Sequence, residues 1–411
     1  MKPEHRKQST ENRRRDIVLC LLSSVLCLLA SGCATLSAPF HRAPPRPGRT
    51  TLSTPLVTLP AQTLGNYLIV EAKWDRAGPY HFLIDTGSSV TLVSPTLAKR
   101  YATKDAPPPD APRIRVKSAE GELSELPATM IRRLDFGDVR FDDVPVLIYD
   151  CAPLSAHLGV KIDGVLGFPL FGETLLTLDY PHSRVVLQPA STTALTPGTI
   201  VPVDDSNKIP LVRVRLGDRT LIVLIDSGSD APLSFNPVGL DLPFASGPRD
   251  GATVSTLTGD RPQQVGRLDT ALTLGDYTIS RPIVDLTDEL SAIGGEILKN
   301  FTVTFDQRHD RVTFFRDTHD PIVSSPRRSA GVSFTKTPAY WRVAGIVRAS
   351  PAEAAGVQAG DLVTRINGEP VAKWDLRRYE QLLATVREIT LTFLNGTEES
   401  NKHVGVFELV P

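Results

Sequence analysis

The sequence Phe82-Leu83-Ile84-Asp85-Thr86-Gly87-Ser88 recurs in a related form as Leu224-Ile225-Asp226-Ser227-Gly228-Ser229. In each stretch an apolar run typical of a buried strand ends in an aspartate, followed by a hydroxyl residue and a glycine. One copy alone would indicate only a strand and a tight turn, because aspartate and glycine are common turn residues. Two copies suggest a catalytic pair. Two carboxyl groups at hydrogen-bond distance share one proton, so one serves as general base and the other as general acid.

The segments that follow the two motifs recur in the same order, which indicates a duplicated domain. Glycines lie 16 residues apart at Gly121 and Gly137, and again at Gly259 and Gly275. Later in each copy an aspartate precedes an Arg-Val pair at the same distance. These late landmarks are Asp179 with Arg184-Val185 and Asp306 with Arg311-Val312.

Over residues 55–317 the paired motifs resemble aspartic proteases of the retropepsin-like and pepsin-like kind. This resemblance implies that Asp85 and Asp226 are the catalytic residues, which activate water without a cofactor. It also implies that Val165-Leu166-Gly167 and Ala292-Ile293-Gly294 brace the two aspartate loops. The expected fold of this region is mainly β, with two pseudo-twofold-related acid-protease lobes.

The resemblance assigns supporting roles to the other motif residues. Thr86 and Ser227 would hydrogen-bond across the pseudo-twofold axis, and Gly87 and Gly228 would allow close backbone approach. The hydroxyls of Ser88 and Ser229 would donate to the outer carboxylate oxygens. Such donation lowers the pKa of the pair, so we expect an acidic to mildly acidic optimum. Asp230 is expected to be solvated.

Two glycine turns are candidate flaps over the cleft. The first, Lys117 to Glu122, lacks the tyrosine that pepsin-like enzymes carry near the flap tip, and the second is Leu257 to Asp260. Short repeats with one flap each resemble two fused retropepsin subunits more closely than a full pepsin.

The N-terminus is typical of a targeting segment. Arg13-Arg14-Arg15 precede an apolar core from Ile17 to Leu29, and Leu29 to Cys33 resembles a bacterial lipobox. Cys33 is therefore the expected lipidation site. A plain secretory signal or an uncleaved anchor is the alternative. The segment 36–50, rich in proline and arginine, favours an extended tether. We expect a lipid-anchored, periplasm-facing protein of the bacterial envelope, with the outer membrane favoured.

Composition is compatible with two or three folded domains. The chain has 411 residues, of which 41% are hydrophobic and 22% charged, with a formal net charge of −1. No basic stripe supports nucleic-acid binding. The eight histidines lack ligand spacing, so no metal site is expected. Cys151 is left without a partner if the N-terminal cysteines are removed or lipidated, and is expected to be a buried structural thiol.

Beyond Arg316 the sequence changes character. The stretch from Ser350 to Gly368 resembles the PDZ domains of bacterial periplasmic proteases, with a capping box at Ser350 to Glu353. The expected fold class of the whole chain is therefore mainly β, with the two lobes followed by a small α+β PDZ domain. The resemblance implies that a peptide adds as a strand beside Arg342 to Val347 and contacts a helix carrying Leu376 and Leu383. The carboxylate-binding loop would then lie around Ala339 to Trp341.

These observations predict a division of the chain and a function. The predicted parts are a lipoprotein signal peptide (1–33), a tether (34–54), lobe 1 (55–195), lobe 2 (196–317), a linker (318–329) and a PDZ domain (330–411). The preferred function is an endopeptidase acting on exported or envelope polypeptides, with a peptide or a protein C-terminus bound at the PDZ domain. The alternatives are a catalytically silent peptide-binding lipoprotein and an envelope scaffold.

Overall fold

A computed structural model describes residues 48–74, 77–103, 113–117, 123–192, 197–256, 259–337 and 339–411. The predicted signal peptide with Cys33, most of the tether and both flap tips lie outside these residues. Within them no helix has the length and apolarity needed to cross a membrane. The fold is mainly β, as predicted, with 53% of residues in strands and 13% in helices.

The first half of the protease-like body covers the described residues from 48 to 192. Its strands are β1 (Arg49–Leu52), β2 (Val57–Leu64), β3 (Tyr67–Trp74), β4 (Ala77–Asp85), β5 (Thr91–Val93), β6 (Ile114–Lys117), β7 (Leu123–Leu126), β8 (Ala128–Asp135), β9 (Val139–Ile148), β10 (Gly164–Gly167), β11 (Thr174–Asp179) and β12 (Arg184–Pro189). Its helices are α1 (Pro95–Tyr101) and α2 (Ala152–Leu158), with 3₁₀ turns at Phe168–Phe171 and Tyr180–His182.

The second half covers the described residues from 197 to 323. Its strands are β13 (Thr199–Asp204), β14 (Leu211–Leu216), β15 (Arg219–Ile225), β16 (Leu233–Phe235), β17 (Phe244–Thr256), β18 (Gly259–Leu268), β19 (Leu272–Leu274), β20 (Tyr277–Ser280), β21 (Ile283–Leu286), β22 (Ala292–Ile293), β23 (Thr302–Asp306), β24 (Arg311–Phe315) and β25 (Ile322–Val323). Its helix is α3 (Gly295–Leu298), and a 3₁₀ turn spans Gln307–His309.

The two halves use the same local pairings around their aspartate motifs. β10 lies parallel to β4 with Gly167 opposite Asp85, and β22 lies parallel to β15 with Ile293 opposite Ile225. β10 and β22 also pair antiparallel with the short strands β5 and β16. An antiparallel ladder between β11 and β23 joins the halves. One hydrophobic cluster extends through both, so they share a core.

Each half also buries a carboxylate at the end of that joining ladder. Asp179 accepts from Arg184 and from the hydroxyl of Thr302 (3.1 Å) and contacts His182, while Asp306 contacts His309 and Arg311 in the same way. Both carboxylates are almost fully buried, so their cationic and hydroxyl neighbours offset the cost of removing them from water.

The PDZ domain has its own core, formed around Phe334, Trp341 and Tyr379. Its strands are β26 (Arg327–Ser329), β27 (Val332–Lys336), β28 (Trp341–Ile346), β29 (Leu362–Ile366), β30 (Glu369–Pro370), β31 (Glu388–Asn395), β32 (Glu398–Gly405) and β33 (Phe407–Val410). Its helices are α4 (Pro351–Ala354) and α5 (Leu376–Thr385), with a 3₁₀ turn at Val371–Lys373. The predicted capping box is present, since the Ser350 hydroxyl accepts from the Glu353 N–H.

The strand order corrects one prediction for the PDZ domain. The sheet runs β27-β28-β29-β31-β32, so β28 is an interior strand, paired on both sides. Because Arg342 is paired on both sides, a peptide cannot add along the whole of Arg342 to Val347, and the edge strand next to α5 is β27. The predicted carboxylate loop at Ala339 to Trp341 belongs to the turn between β27 and β28. The loop that leads into the edge strand instead carries Ala330 and Gly331.

Two segments predicted as spacers contribute strands to the folded units. Residues 49–52 form β1, which pairs with β9, so the body begins inside the predicted tether. Within 318–329, β25 pairs with β20 and β26 pairs with β33. Proline and arginine suggested loops at both places, but short strands tolerate proline beside them.

The PDZ domain contacts the second half of the body through polar and apolar groups. Arg327 forms a bidentate ion pair with the buried Asp285 (2.7 and 3.4 Å). Arg267 of β18 donates to the carbonyls of Ser324 (3.1 Å) and Pro411. An apolar cluster across this contact contains Val265, Ile283, Val347, Leu409 and Val410.

Candidate active site

The two aspartates lie at the ends of buried strands. Asp85 is the last residue of β4 and Asp226 directly follows β15, and both strands are apolar and buried where they approach the aspartate. The Asp226 N–H also donates to the carbonyl of Ile293 in the bracing strand β22 (3.0 Å). Core packing therefore fixes the backbone of both residues, as a site with defined geometry requires.

The glycines of the two motifs bring the loops into direct contact. A Cβ atom on Gly87 would lie 2.5 Å from Asp226 Oδ1, and one on Gly228 would collide with the carboxyl group of Asp85. Each aspartate thus lies against the glycine of the opposite motif. Because any side chain would fill this space, glycine is the residue that permits the approach.

Hydrogen bonds lock the loops together beneath the carboxyl groups. Thr86 donates its hydroxyl to the Ile225 carbonyl (2.6 Å) and accepts from the Ser227 N–H (3.0 Å). In the same way, the Ser227 hydroxyl donates to the Ile84 carbonyl (2.9 Å) and accepts from the Thr86 N–H (3.0 Å). Both side chains are fully buried. We call these four bonds the Thr86–Ser227 lock.

The carboxyl groups of Asp85 and Asp226 hydrogen-bond to each other. Burial and then the negative charge of Asp226 raise the pKa of Asp85 well above its usual value, although the N–H groups of Gly87 and Ser88 oppose this. Asp226 receives the N–H of Gly228 on Oδ1 (2.8 Å). The raised pKa favours the protonated form of Asp85, so the two carboxyl groups are arranged to share one proton.

Of the two outer serines, Ser88 does not have the predicted contact with a carboxylate. Ser88 donates its hydroxyl to the carbonyl of Val90 (2.8 Å), and Ser229 accepts the N–H of Ala231 (3.3 Å). The expected lowering of the pKa by the Ser88 hydroxyl is therefore wrong for Asp85, whose pKa rises. A serine hydroxyl readily bonds to the backbone two residues ahead, and here this local bond prevails.

Two tyrosines near the pair were not singled out from the sequence. Tyr67 of β3 lies beside Asp230, and burial followed by the charges of Asp230 and Asp226 raises its pKa. The buried hydroxyl of Tyr180 has no hydrogen-bond partner among the described residues, and burial together with both aspartates raises its pKa. Both residues follow or lie within strands, where an aromatic side chain indicates only core packing.

The bases of the candidate flaps are described, although their tips are not. The first hairpin, β6 with β7, contacts the second half of the body through Lys117 Nζ and Glu289 Oε2 (2.6 Å). The second hairpin, β17 with β18, is longer and packs against β27 and β28 of the PDZ domain. No group of acidic, histidine or cysteine side chains suited to a metal occurs in the described part of the chain.

This combination of a mainly β body, paired aspartate loops and a second small domain is the arrangement of an acid-protease-like chain with a PDZ module. Residues 70–170 match the profile of the aspartyl protease family, and residues 342–394 match that of the PDZ domain. The chain therefore contains a retropepsin-like aspartyl protease domain and a PDZ domain.

No curated protein matches the chain. Among solved structures, one similar chain is a PDZ domain protein from Parabacteroides distasonis, with 22% identity and a TM-score of 0.19. That match covers 20% of this chain and 21% of the other.

Proposed function

We propose that this protein is an aspartic-type endopeptidase that hydrolyses exported or envelope polypeptides. The observation that carries the proposal is the direct contact between the carboxyl groups of Asp85 and Asp226, held by the Thr86–Ser227 lock. A shared proton on such a pair provides an acid and a base at one point, which peptide hydrolysis by water requires.

In this proposal the two aspartates have distinct roles. Asp226, which carries the negative charge, takes a proton from the attacking water. Asp85, which the site keeps protonated, donates its proton to the peptide carbonyl oxygen as the tetrahedral intermediate forms. Proton transfer to the amide nitrogen then releases the amine and restores the pair. No cofactor takes part in these steps.

Casein digestion by the purified chain, measured across acidic to neutral pH, tests the catalytic role. Asp85→Asn and Asp226→Asn should each lower kcat by about 10³-fold or more, since each removes the shared proton or the base. Asp230→Asn is the matched control, because its exposed carboxylate adjoins the same loop. Cleavage that survives in either dyad variant, with the fold intact by circular dichroism, would reject the mechanism.

The PDZ domain is proposed to bind peptide segments or C-termini of the same polypeptide substrates. The match of residues 342–394 supports this role, and the position of edge strand β27 beside α5 supplies a site for an added strand. Deleting residues 330–411 should lower activity on folded proteins more than on short peptides. An equal effect on both would argue against a role in substrate capture.

For location, we propose a lipid anchor at Cys33 that holds the protein at the bacterial envelope, facing the periplasm. The lipobox-like stretch from Leu29 to Cys33 supports it. Metabolic labelling with a palmitate analogue should mark the wild type and fail to mark Cys33→Ser. A labelled Cys33→Ser protein would contradict the anchor.

A further inference from the structure

The edge strand of the PDZ sheet and helix α5 define a groove, which we call the PDZ groove. Phe334 of β27 and Tyr379 of α5 touch across it, with ring centroids 5.5 Å apart. Because side chains alternate along a strand, Lys336 shares the face of Phe334 and lies at the end of β27. Asp375, the N-cap of α5, marks the same end of the groove on the helix side.

A turn from the first half of the protease body lies in that end of the groove. Helix α2 packs near β27 and is capped at its C-terminus by Gly159, which adopts a left-handed conformation with φ of 74°. A Cβ atom on Gly159 would lie 3.1 Å from Lys336 Nζ and 3.6 Å from Asp375 Cβ. Gly159 therefore lies between the last residue of β27 and the first turn of α5, and we call this turn the Gly159 wedge.

Lys336 lies beneath the wedge without a polar partner. The residue is 8% exposed, and its ammonium group has no hydrogen-bond or ion-pair partner among the residues described. The ring of Trp341 lies 5.4 Å from Nζ. Burial lowers the pKa of Lys336, and the charge of Asp375 opposes that change. A buried ammonium without a partner is costly, so the groove offers an unsatisfied positive group to an incoming anion.

The wedge is also close in sequence to the brace of a catalytic aspartate. Four residues separate Gly159 from Gly164, where strand β10 begins, and Gly167 at the far end of β10 lies opposite Asp85. Between them, the buried Asp163 accepts the His81 N–H (3.1 Å) and the Lys161 ammonium (2.5 Å). A shift of the wedge therefore acts on a short, fixed segment that leads to Asp85.

We propose that the Gly159 wedge closes one end of the PDZ groove, and that an extended acidic polypeptide segment displaces it by placing a carboxylate on Lys336. The charge of Lys336 selects an acidic segment over a neutral one. The movement is transmitted through β10 to Asp85, so engagement of this segment raises proteolytic activity. This last step rests on the proposed function, whereas binding does not.

A reversible crosslink tests the displacement. Gly159→Cys combined with Asp375→Cys places two Cβ atoms 3.6 Å apart, within the range of about 3.5–4.5 Å that disulfides require. The oxidised and reduced forms of this full-length variant carry the same substitutions, so their comparison isolates the effect of the disulfide crosslink. Each single-cysteine variant serves as a control for oxidation of the native thiols, and peptide mapping verifies the bond.

The binding probe is a fluorescein-labelled pool of short peptides randomised over Glu, Ala and Val. A matched pool contains Gln in place of Glu. The reduced variant should bind the Glu pool at least about tenfold more tightly than the oxidised variant, a difference of about 1.4 kcal/mol. Equal binding by the two forms, or no binding of the Glu pool by the reduced form, would overturn the proposal.

Lys336→Met tests the choice of an acidic segment. This substitution keeps an unbranched side chain over Trp341 but removes the charge, so the preference for the Glu pool over the Gln pool should disappear. Lys402→Met is the matched control, because Lys402 also lies over an aromatic ring of the PDZ domain, that of Phe393 at 5.1 Å. A preference that persists in Lys336→Met, or that is lost equally in Lys402→Met, would refute the role of Lys336.

Casein cleavage by the crosslinked variant separates this inference from the proposed function. Activity that recovers on reduction, together with binding, supports both. Binding that recovers while no form cleaves casein rejects the protease proposal and leaves the wedge supported. Cleavage that is equal in both redox states, with equal binding, rejects the wedge and leaves the protease proposal intact.

Discussion

The substitution Thr86→Val preserves the branched shape of the side chain but removes its hydroxyl, which donates one hydrogen bond of the Thr86–Ser227 lock and accepts another. The buried N–H of Ser227 loses its acceptor and the carbonyl of Ile225 loses its donor. An unsatisfied buried group costs about 1–3 kcal/mol, and carbonyls tolerate the loss better than N–H groups. We therefore expect the loops to be destabilised by about 2–4 kcal/mol.

Hydrogen exchange followed by mass spectrometry measures this loss where it occurs. A change of about 2–4 kcal/mol corresponds to exchange about 30- to 700-fold faster at the Ser227 amide, since 1.4 kcal/mol is a factor of ten. Thr86→Ser keeps the hydroxyl and should change exchange by less than about tenfold. Local exchange is preferable to tryptophan fluorescence because two of the three tryptophans, Trp341 and Trp374, report on the PDZ domain.

The same variants should separate in activity, because the lock holds Asp85 and Asp226 in contact. Thr86→Val should lose most of its kcat, and Thr86→Ser should retain most of it. Combining Thr86→Val with Ser227→Ala should cost less than the sum of the single changes, since they remove parts of one network. If Ser227 exchanges alike in Thr86→Val and Thr86→Ser, the hydroxyl does not lock the loops and the reasoning fails.

Three further predictions follow from the site and its surroundings. Burial and the charge of Asp226 raise the pKa of Asp85, so kcat/KM should persist above the usual carboxyl range and fall as the pH rises through this raised pKa. Because the pKa of Asp85 is higher in the folded than in the unfolded protein, the stability that Asp85 contributes is complete at low pH and is lost over the same rise in pH. Urea midpoints of the wild type that do not decline over this range, relative to those of Asp85→Asn, would contradict the prediction. Gly228→Ala should abolish casein cleavage, because its Cβ collides with the Asp85 carboxyl, whereas Gly172→Ala, whose nearest neighbour lies 3.4 Å away, should stay active; an active Gly228→Ala enzyme would disprove the close approach. Burial, then the charges of Asp150 and Asp163, raises the pKa of the Cys151 thiol to about 12, so iodoacetamide at mildly alkaline pH should label its peptide only after unfolding, and rapid labelling of the native protein would contradict this.

The features that the sequence predicted correctly are those that depend on residue type at fixed spacing. An apolar run ending in Asp, a hydroxyl residue and Gly permits few arrangements when it occurs twice, and the parallel brace at Gly167 follows from the same repeat. The mainly β fold, the aspartyl protease domain and the PDZ domain are confirmed. The catalytic roles of Asp85 and Asp226 stay a prediction.

Other features could not be predicted, because residue type alone does not determine hydrogen-bond partners, strand order or contacts between domains. Ser88 can donate to a carboxylate or to its own backbone, and only the turn geometry selects the Val90 carbonyl. Strands β27 and β28 have similar apolar alternation, so the sequence did not reveal that β27 is the edge. Lys336 resembles an ordinary surface lysine until a glycine turn from a distant segment covers it. Such contacts arise between domains and leave no local pattern.

The ladder between β11 and β23 joins the two halves that carry the aspartate loops within a single molecule. Enzymes assembled from two identical subunits lose their site on dilution, whereas the specific rate of this chain should be independent of its concentration. Because both halves belong to one chain, their sequences need not be identical. The first motif has Thr86 where the second has Ser227, and Tyr67 lies beside Asp230 of the second loop. Mutation can thus change the two aspartate loops separately, which a symmetric homodimer does not allow.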